Sequence, residues 1–214
     1  ETHGPVCATR GNMNNRLGLP LSMLALGPQH NAAVFELGAS AAGEIADLAE
    51  LCQPDVGVIT AIGEAHAAGF ASGEDTRASK AELLAELPED GLAVLNGDDP
   101  YLRRLATASP VDVICCGRGS GNHLTASDVS WRSGRLRFTV GRQRFQIPVW
   151  GRHFLSAALL AIAVGRHYGQ RLSEMADSLS EFAGLSQRCD VQRCGSITII
   201  DDTYNASPQS MTAA

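Results

Sequence analysis

Short apolar runs and amphipathic stretches alternate along the first half of the chain. Four apolar runs, which predict buried strands, lie at 31–37, 55–60, 92–96 and 112–116. Between the first two runs, apolar residues recur at helical spacing, at Ile45, Leu48, Ala49 and Cys52. Strands that alternate with helices need crossover connections, so we predict an α/β fold with a mostly parallel sheet flanked by helices.

The pattern changes at Leu124. From there to Val149, polar and apolar residues alternate, which is typical of strands with one buried face. Turn residues at Ser133-Gly134 and Gly141-Arg142 predict an antiparallel hairpin subregion. The remaining predicted elements are a loop at 9–21, helices at 151–168 and 172–182, and a buried strand at 196–200.

Polar side chains stand at the carboxyl ends of four predicted strands, at Glu36, Thr60, Asn96 and Asp201. Open α/β sheets bind ligands at that edge, and His66 lies in the loop after Thr60, so we predict a shared site there. The carboxylate of Glu36 and the imidazole of His66 are ligand types that suit a divalent cation. Two such residues are enough, because magnesium bound to phosphate usually takes only one or two protein ligands. The alternative is a capping role for Glu36 and a packed or hydrogen-bonded loop role for His66.

Lys80 lies on the apolar face of the helix predicted after this loop. Leu83, Leu84 and Leu87 follow it at i+3, i+4 and i+7, so a helix places the ammonium group on the core-facing side. One interpretation is that the side chain extends its charge to water. The other is that half-burial lowers the pKa of Lys80 and makes a neutral amine available for chemistry.

Composition narrows the class of protein. The 214 residues are 44% hydrophobic and 19% charged, which indicates one globular domain or a large part of one. The net charge of −6 predicts no general attraction to nucleic acid or anionic membranes. There is no run of roughly 18 apolar residues and no signal-peptide pattern at the N-terminus. The six cysteines lack zinc-site spacing, which predicts a reducing, cytoplasmic setting.

Several short segments occur together in a specific order. They are TRGNMNNRLGLPL, ELGAS followed by GEI, GEAH, ASKAE, LNGDDPY and DDTYNASPQSM. With these segments, the sequence resembles the Mur ligases of peptidoglycan synthesis, and within them the branch that adds D-alanyl-D-alanine. The resemblance runs from about Thr9 to the last residue.

The resemblance implies an ATP-dependent carboxylate-amine ligase, cytoplasmic and monomeric as a full-length enzyme. ATP phosphorylates the terminal carboxylate of UDP-N-acetylmuramoyl-tripeptide, and the amine of D-alanyl-D-alanine attacks the acyl phosphate. Residues 1–214 would be most of the central ATP-binding domain, with an antiparallel insertion at about 124–149. The chain starts without methionine, stops at SPQSMTAA and contains no G-x-x-x-x-G-K-[ST]. We therefore expect a P-loop and a UDP-binding domain upstream, a further domain downstream, and an inactive fragment.

The resemblance also implies roles for single residues. Glu36 and His66 would each hold a magnesium ion, and a carbamylated Lys80 would supply oxygen atoms near the metal. Arg188 would contact the phosphates and stabilise the charge that develops during transfer. The residues implied on the nucleotide side are His153, Asp202, Tyr204 and Asn205, and those on the UDP-peptide side are Arg10, Asn14 and Asn15.

Some positions depart from the family pattern. They are Ala61, Ser186-Gln187, Ser207, and Phe154 and Ala157, which replace both asparagines of an HNxxN motif on the adenine side. These departures and the absent P-loop motivate an alternative, a non-catalytic relative that binds nucleotide sugars. A ligase resembling folylpolyglutamate synthetase and a metal-dependent phosphohydrolase that uses Glu36 and His66 are further alternatives.

Overall fold

A computed structural model describes residues 4–62, 73–206 and 211. Its strands are β1 (Val6–Ala8), β2 (Ala32–Val34), β3 (Val56–Ile59), β4 (Leu92–Asn96), β5 (Asp112–Gly117), β6 (Leu124–Arg132), β7 (Arg135–Val140), β8 (Gln143–Ile147), β9 (Asp190–Cys194) and β10 (Ile197–Asp201). Its helices are α1 (Gly18–Met23), α2 (Glu44–Cys52), α3 (Gly73–Ala85), α4 (Pro100–Thr107), α5 (Phe154–His167) and α6 (Leu172–Ser180).

The strands form three sheets within the described residues. Strands β3 to β8 make a six-stranded sheet in sequence order, in which β5 and β6 pair in parallel and β6, β7 and β8 pair antiparallel. Strands β1 and β2 form a parallel pair, and β9 and β10 form an antiparallel hairpin. The predicted class is confirmed: an α/β fold with a mostly parallel central sheet, flanking helices and an antiparallel subregion.

The chain divides into two compact units, residues 1–93 with 104–113 and residues 94–103 with 114–214. In the first unit, α2 packs against α3. The helical spacing predicted for α2 is confirmed, because Ile45, Leu48 and Ala49 are buried. Leu83 and Leu84 of α3 are also buried, so the apolar face predicted for the helix of Lys80 exists.

The second unit has a core between the antiparallel subregion and two helices. Helix α5 contacts β6, and α6 contacts β8. Phe138 and Phe145 stack with ring centroids 5.1 Å apart on the buried face of β7 and β8. The turn at Ser133-Gly134 has positive φ at both residues, 51° and 69°, as a two-residue hairpin loop requires. The predicted hairpins are confirmed.

Three expectations differ from the structure. Helix α1 begins at Gly18, inside the predicted loop, because the side-chain oxygen of Asn15 accepts the N–H groups of Leu17 and Gly18. Helix α5 begins at Phe154 rather than Gly151, whose φ of 143° is not helical. The four polar strand ends belong to three different sheets, because β2 and β10 pair only with β1 and β9 in the described residues.

The six cysteines are free thiols, and four of them are buried as small apolar residues. In residues 4–62 and 73–206, no helix has the length and apolar character needed to span a bilayer.

Candidate functional site

Glu36 lies two residues after strand β2 and is held by two neighbours. Its backbone N–H donates to Oγ1 of Thr9 at 2.9 Å, and Nδ2 of Asn14 donates to its Oε1 at 2.8 Å. The N–H of Gly38 donates to the carbonyl oxygen of Asn14 at 2.8 Å, which fixes the loop on the other side. The exposed carboxylate is oriented by these contacts, and its two oxygens have about four acceptor positions in all, so it retains capacity for a cation.

Lys80 is half-buried on α3. Burial lowers the pKa of Lys80 below its ordinary value, and the nearby negative charge of Glu36 opposes this shift only in part. The burial of the amine and the direction of its pKa shift fit the second interpretation, in which a neutral amine is available for chemistry. Lys80 is also the only lysine among the 17 basic residues of the chain. The structure places this single amine where the charge of Glu36 acts on it.

The helix that carries Lys80 also holds the loop after Glu36. Oγ of the buried Ser79 donates to the carbonyl oxygen of Ala41 at 3.5 Å. The carboxylate of Glu82 accepts the N–H groups of Gly43 at 2.8 Å and Ala46 at 3.2 Å. These two groups lie at the start of α2, whose N-cap residue is a glycine without a capping side chain. Glu82 therefore caps α2 from α3.

Glu44 organises the same loop from within α2. Its Oε2 accepts the N–H of Ser40 at 2.7 Å, the hydroxyl of Ser40 at 3.1 Å and the N–H of Ala41 at 3.1 Å. The hydrogen bond from the Ser40 N–H is the main reason why the pKa of Glu44 is lowered, although burial acts in the opposite direction. Glu44 and Glu82 were not predicted as site residues. The only signal in the sequence was Gly43 at the N-cap of α2, which has no side chain and so leaves the capping to another residue.

The other predicted residues of the first unit have different surroundings. The side-chain oxygen of Asn15 is engaged at the start of α1, whereas Asn14 contacts Glu36 directly. Arg10 is exposed. His66, the second predicted metal ligand, lies outside the described residues. Among the residues that the structure does describe, no three His, Cys, Asp or Glu side chains are grouped to hold a metal ion.

In the second unit, three predicted residues come together. The guanidinium carbon of Arg188 lies 4.1 Å from the ring centroid of Tyr204, and the N–H of Tyr204 donates to the carbonyl oxygen of Gln187 at 3.1 Å. The N–H of Cys189 donates to Oδ1 of Asp202 at 3.0 Å. Burial, and then the charge and hydrogen bond of Asp202, raise the pKa of the Cys189 thiol, which disfavours a nucleophilic thiolate.

A cavity of about 170 Å³ lies beside Arg188 in the second unit. Its apolar wall includes Trp150, Phe154 and Leu185. The ring of His153, an exposed residue, lies 4.5 Å from that of Phe154 between centroids, at the margin of this wall. The volume is below the roughly 300 Å³ of pockets for drug-sized ligands, so the cavity by itself is too small for a whole nucleotide. Asn205, the remaining residue predicted on the nucleotide side, forms a local contact: its side-chain oxygen accepts the N–H of Ala206 at 2.8 Å.

The LNGDDPY segment forms a polar network after β4. Asp98 accepts the N–H groups of Arg118 at 2.7 Å and Gly119 at 2.8 Å, and Nδ2 of Asn122 donates to it at 2.9 Å. Arg103 donates to the carbonyl oxygen of Gly97 at 2.9 Å and to Oδ1 of Asn122 at 3.1 Å. The network fastens the loop after β5, which is a structural role.

Comparison with known proteins gives consistent results. The Mur ligase middle domain matches residues 1–165. The chain is 38% identical, over 96% of its length, to the UDP-N-acetylmuramoyl-tripeptide:D-alanyl-D-alanine ligase of Bacillus subtilis (strain 168), and it spans 45% of that relative. A crystal structure of MurF from Acinetobacter baumannii superposes with a TM-score of 0.92 at 29% identity, covering 98% of this chain and 47% of that one. MurF ligase from Thermotoga maritima, solved in complex with ADP, is similar with a TM-score of 0.87 at 28% identity, covering 98% of this chain and 49% of that one.

Proposed function

This chain belongs to the Mur ligase family, and we propose that it is most of the ATP-binding part of a ligase that adds D-alanyl-D-alanine to UDP-N-acetylmuramoyl-tripeptide. The observation that carries the proposal is the 38% identity to a ligase with that name over 96% of the chain. The chain spans about half the length of the relatives it matches, so the activity belongs to the whole protein. The same similarity favours this activity over a folylpolyglutamate-synthetase-like one.

Glu36 is the residue of the first unit that we assign to one magnesium ion, and His66 is assigned to a second magnesium ion. The Asn14 hydrogen bond orients the Glu36 carboxylate and leaves acceptor positions, which fits a hard cation that takes one or two carboxylates and completes its shell with phosphate oxygens. A magnesium ion held there would neutralise charge on the phosphates. Asn14 then serves as the positioning residue for Glu36, beside Arg10 and Asn15 on the UDP-peptide side.

Lys80 is assigned to carbamylation. The ammonium group first loses one proton; the neutral amine then attacks carbon dioxide, forms an N–C bond and releases a second proton, so that a cation becomes a carbamate anion. The reaction requires a neutral amine, and burial favours that form because it lowers the pKa of Lys80. The carbamate supplies oxygen ligands for a metal ion. Its negative charge would repel the carboxylate of Glu36, and a bound cation would offset this repulsion.

The second unit supplies the nucleotide side. The guanidinium of Arg188 stacks on Tyr204 and lines the cavity, so the group is preoriented for a phosphate or a phosphoryl group in transfer. Asp202, Tyr204 and Asn205 follow β10 and are assigned to the ribose. The apolar wall with Phe154, and His153 at its margin, is assigned to the base.

The experiment uses the full-length gene product, assayed for ADP release with both substrates present. We expect release to require UDP-N-acetylmuramoyl-tripeptide and D-alanyl-D-alanine together. Glu36→Gln should lower kcat by at least about 100-fold, because it removes the metal-binding charge. Glu50→Gln, an exposed change on α2, is the matched control and should leave the rate unchanged. ADP release without the dipeptide would contradict the ligase assignment.

A second candidate is a relative that binds nucleotide sugars without turnover. Phe154 and Ala157, which stand in place of the two asparagines of the HNxxN motif, favour it, since Phe154 presents no polar atom to a base. A titration of the full-length protein with a non-hydrolysable ATP analogue and magnesium separates the two. Saturable binding is required by the ligase proposal, and its absence together with binding of the UDP-peptide would support the second candidate.

A further inference from the structure

Charge is distributed unevenly along the chain. Residues 129–173 contain eight of the 17 basic residues, all arginine, and none of the 23 acidic residues. This segment therefore carries +8, and the remainder of the chain carries −14, with histidines neutral. The net charge of −6 conceals this separation. A net value describes the average field, whereas a surface responds to the charge that faces it.

Strands β6 to β8 place four of these arginines on one face of the sheet. Arg132 of β6 lies opposite Arg135 of β7, and Arg144 of β8 lies opposite Thr139 of β7. Arg135, Arg137 and Thr139 are alternate residues of β7 and therefore project to the same side. Residues opposite each other in an antiparallel pair project to the same side, so Arg132, Arg135, Arg137 and Arg144 form one arginine face. All four are exposed.

The opposite face of these strands is the buried one. Leu136, Phe138, Val140, Phe145 and Ile147 are at most 4% exposed and alternate with the arginine-face positions. Helices α5 and α6 contact these strands as part of the core. The nearest acidic residue in sequence is Asp128, in a bulge of β6 between Ser127 and Ser130. Arg137 donates to Oε1 of Gln146 at 2.7 Å, a neutral partner on the same face.

The composition of the arginine face selects among anionic partners. It has no aromatic side chain, because Trp131, Phe138 and Phe145 occupy the alternate positions, and single-stranded nucleic acid binds largely by stacking on aromatic rings. It has no apolar centre of the kind found in protein interfaces. What remains is an array of exposed guanidinium groups on one side of the sheet, each suited to bidentate contact with phosphate. Phosphate groups spread over a plane match this array.

We propose that the arginine face is a docking surface for the anionic phospholipid surface of a membrane, without insertion into the bilayer. Basic residues near such a surface each contribute about 1 kcal/mol of attraction, and this attraction falls within a Debye length. The rest of the chain carries −14 and is repelled by such a surface, so β6 to β8, and not the net charge, account for the attraction. The proposal does not depend on the ligase assignment.

The experiment is co-sedimentation of the full-length gene product with lipid vesicles. We expect binding to phosphatidylcholine vesicles that contain roughly 30% phosphatidylglycerol and none to pure phosphatidylcholine, with release as salt rises from about 50 to about 500 mM. Arg137→Gln with Arg144→Gln should weaken the partition coefficient about 25-fold, the product of about fivefold for each residue.

The matched control is Arg118→Gln with Arg193→Gln, two exposed arginines outside residues 129–173. It removes the same charge and should change binding less than about twofold if the face, rather than net charge, is responsible. Thermal unfolding checks that the variants fold. If the Arg137→Gln, Arg144→Gln variant does not fold, Arg132→Gln with Arg135→Gln takes its place. Equal loss in both double variants, equal binding to neutral vesicles, no binding at low salt, or tighter binding to a single-stranded RNA would overturn the proposal.

Discussion

At the scale of single residues, Lys80 has the most unusual surroundings. Its amine is half-buried beside leucines, and burial lowers its pKa against the opposing charge of Glu36. A lysine in solution has a pKa near 10.4, so only a small fraction is neutral at pH 7. Each unit by which the pKa falls raises that fraction about tenfold, which is the quantity that matters for reaction with carbon dioxide.

The first prediction is that Lys80 titrates below an ordinary lysine. Because it is the only lysine, reductive methylation with carbon-13 yields one side-chain signal, whose pH dependence in an NMR titration reports its pKa directly. Glu36→Gln should lower the pKa of Lys80 further, since the charge of Glu36 raises it. Glu89→Gln, an exposed change, is the control and should leave the titration unchanged. A midpoint at or above about 10.4 in the methylated chain without a substitution would contradict the prediction.

The second prediction concerns carbamylation in the full-length protein. Lys80→Ala should abolish most ligase activity, and short carboxylic acids such as acetate should restore part of it by supplying the missing carboxylate. Lys80→Arg should not be rescued, because it retains bulk and charge in the same place. The measurement is the rate of ADP release with and without the added acid. Unchanged turnover in Lys80→Ala would leave the residue a packing side chain only.

At the scale of elements, capping across helices holds the loop after Glu36. The carboxylate of Glu82 on α3 accepts two N–H groups at the start of α2. The helix dipole makes this end of α2 partly positive, so the negative charge of Glu82 is favourable there. The third prediction is that Glu82→Ala lowers the free energy of unfolding by about 1 kcal/mol. Denaturant unfolding is the measurement, with Glu86→Ala, exposed just beyond α3, as the control. Equal losses in both variants would remove the capping role.

The fourth prediction concerns the Asp98 network and pH. Burial raises the pKa of Asp98, but hydrogen bonds from Arg118, Gly119 and Asn122, with the charge of Arg103, outweigh it, so the pKa is lowered. A carboxyl whose folded pKa is lowered contributes stability above its unfolded pKa and loses it as pH falls through the folded pKa.

The loss is therefore expected below about pH 4, where unfolded aspartate titrates. Asp98→Asn should be less stable than the parent at neutral pH by about 1 kcal/mol, since the acceptor of two backbone N–H groups is weakened. The difference should shrink as pH falls toward about 3, because the parent becomes protonated. Denaturant unfolding over this pH range measures it. A constant difference would show that charge on Asp98 contributes nothing.

At the scale of the whole molecule, the 214 residues correspond to 45% of the Bacillus subtilis relative. Their sequence contains no G-x-x-x-x-G-K-[ST], the loop that cradles phosphates. The fifth prediction is that the chain alone releases negligible ADP even with both proposed substrates and magnesium, while the full-length protein turns over. ADP release by the 214-residue chain that required both substrates would contradict this expectation.

Much of the fold was predictable because local periodicity reports which face of an element is buried. Strand β4 has the predicted limits, and strands β6 to β8 follow the predicted alternation and turns. Strands β1 and β9 were not predicted, since the three apolar residues of β1 are too few to show a period and the five residues of β9 are of mixed polarity. Helix α1 was missed because its start depends on the side chain of Asn15 rather than on a repeat.

The sequence by itself determined the order of the longer strands and of most helices, the apolar face that carries Lys80 and the short segments that indicate the family, since all of these depend on residues close together in the chain. Only the tertiary structure decided that Glu82 caps α2, that Glu36 acts on Lys80, that Arg188 stacks on Tyr204 and that four arginines share one face. The physical reason is the same in each case. These effects depend on distances between residues far apart in sequence, and strand register and helix packing set those distances.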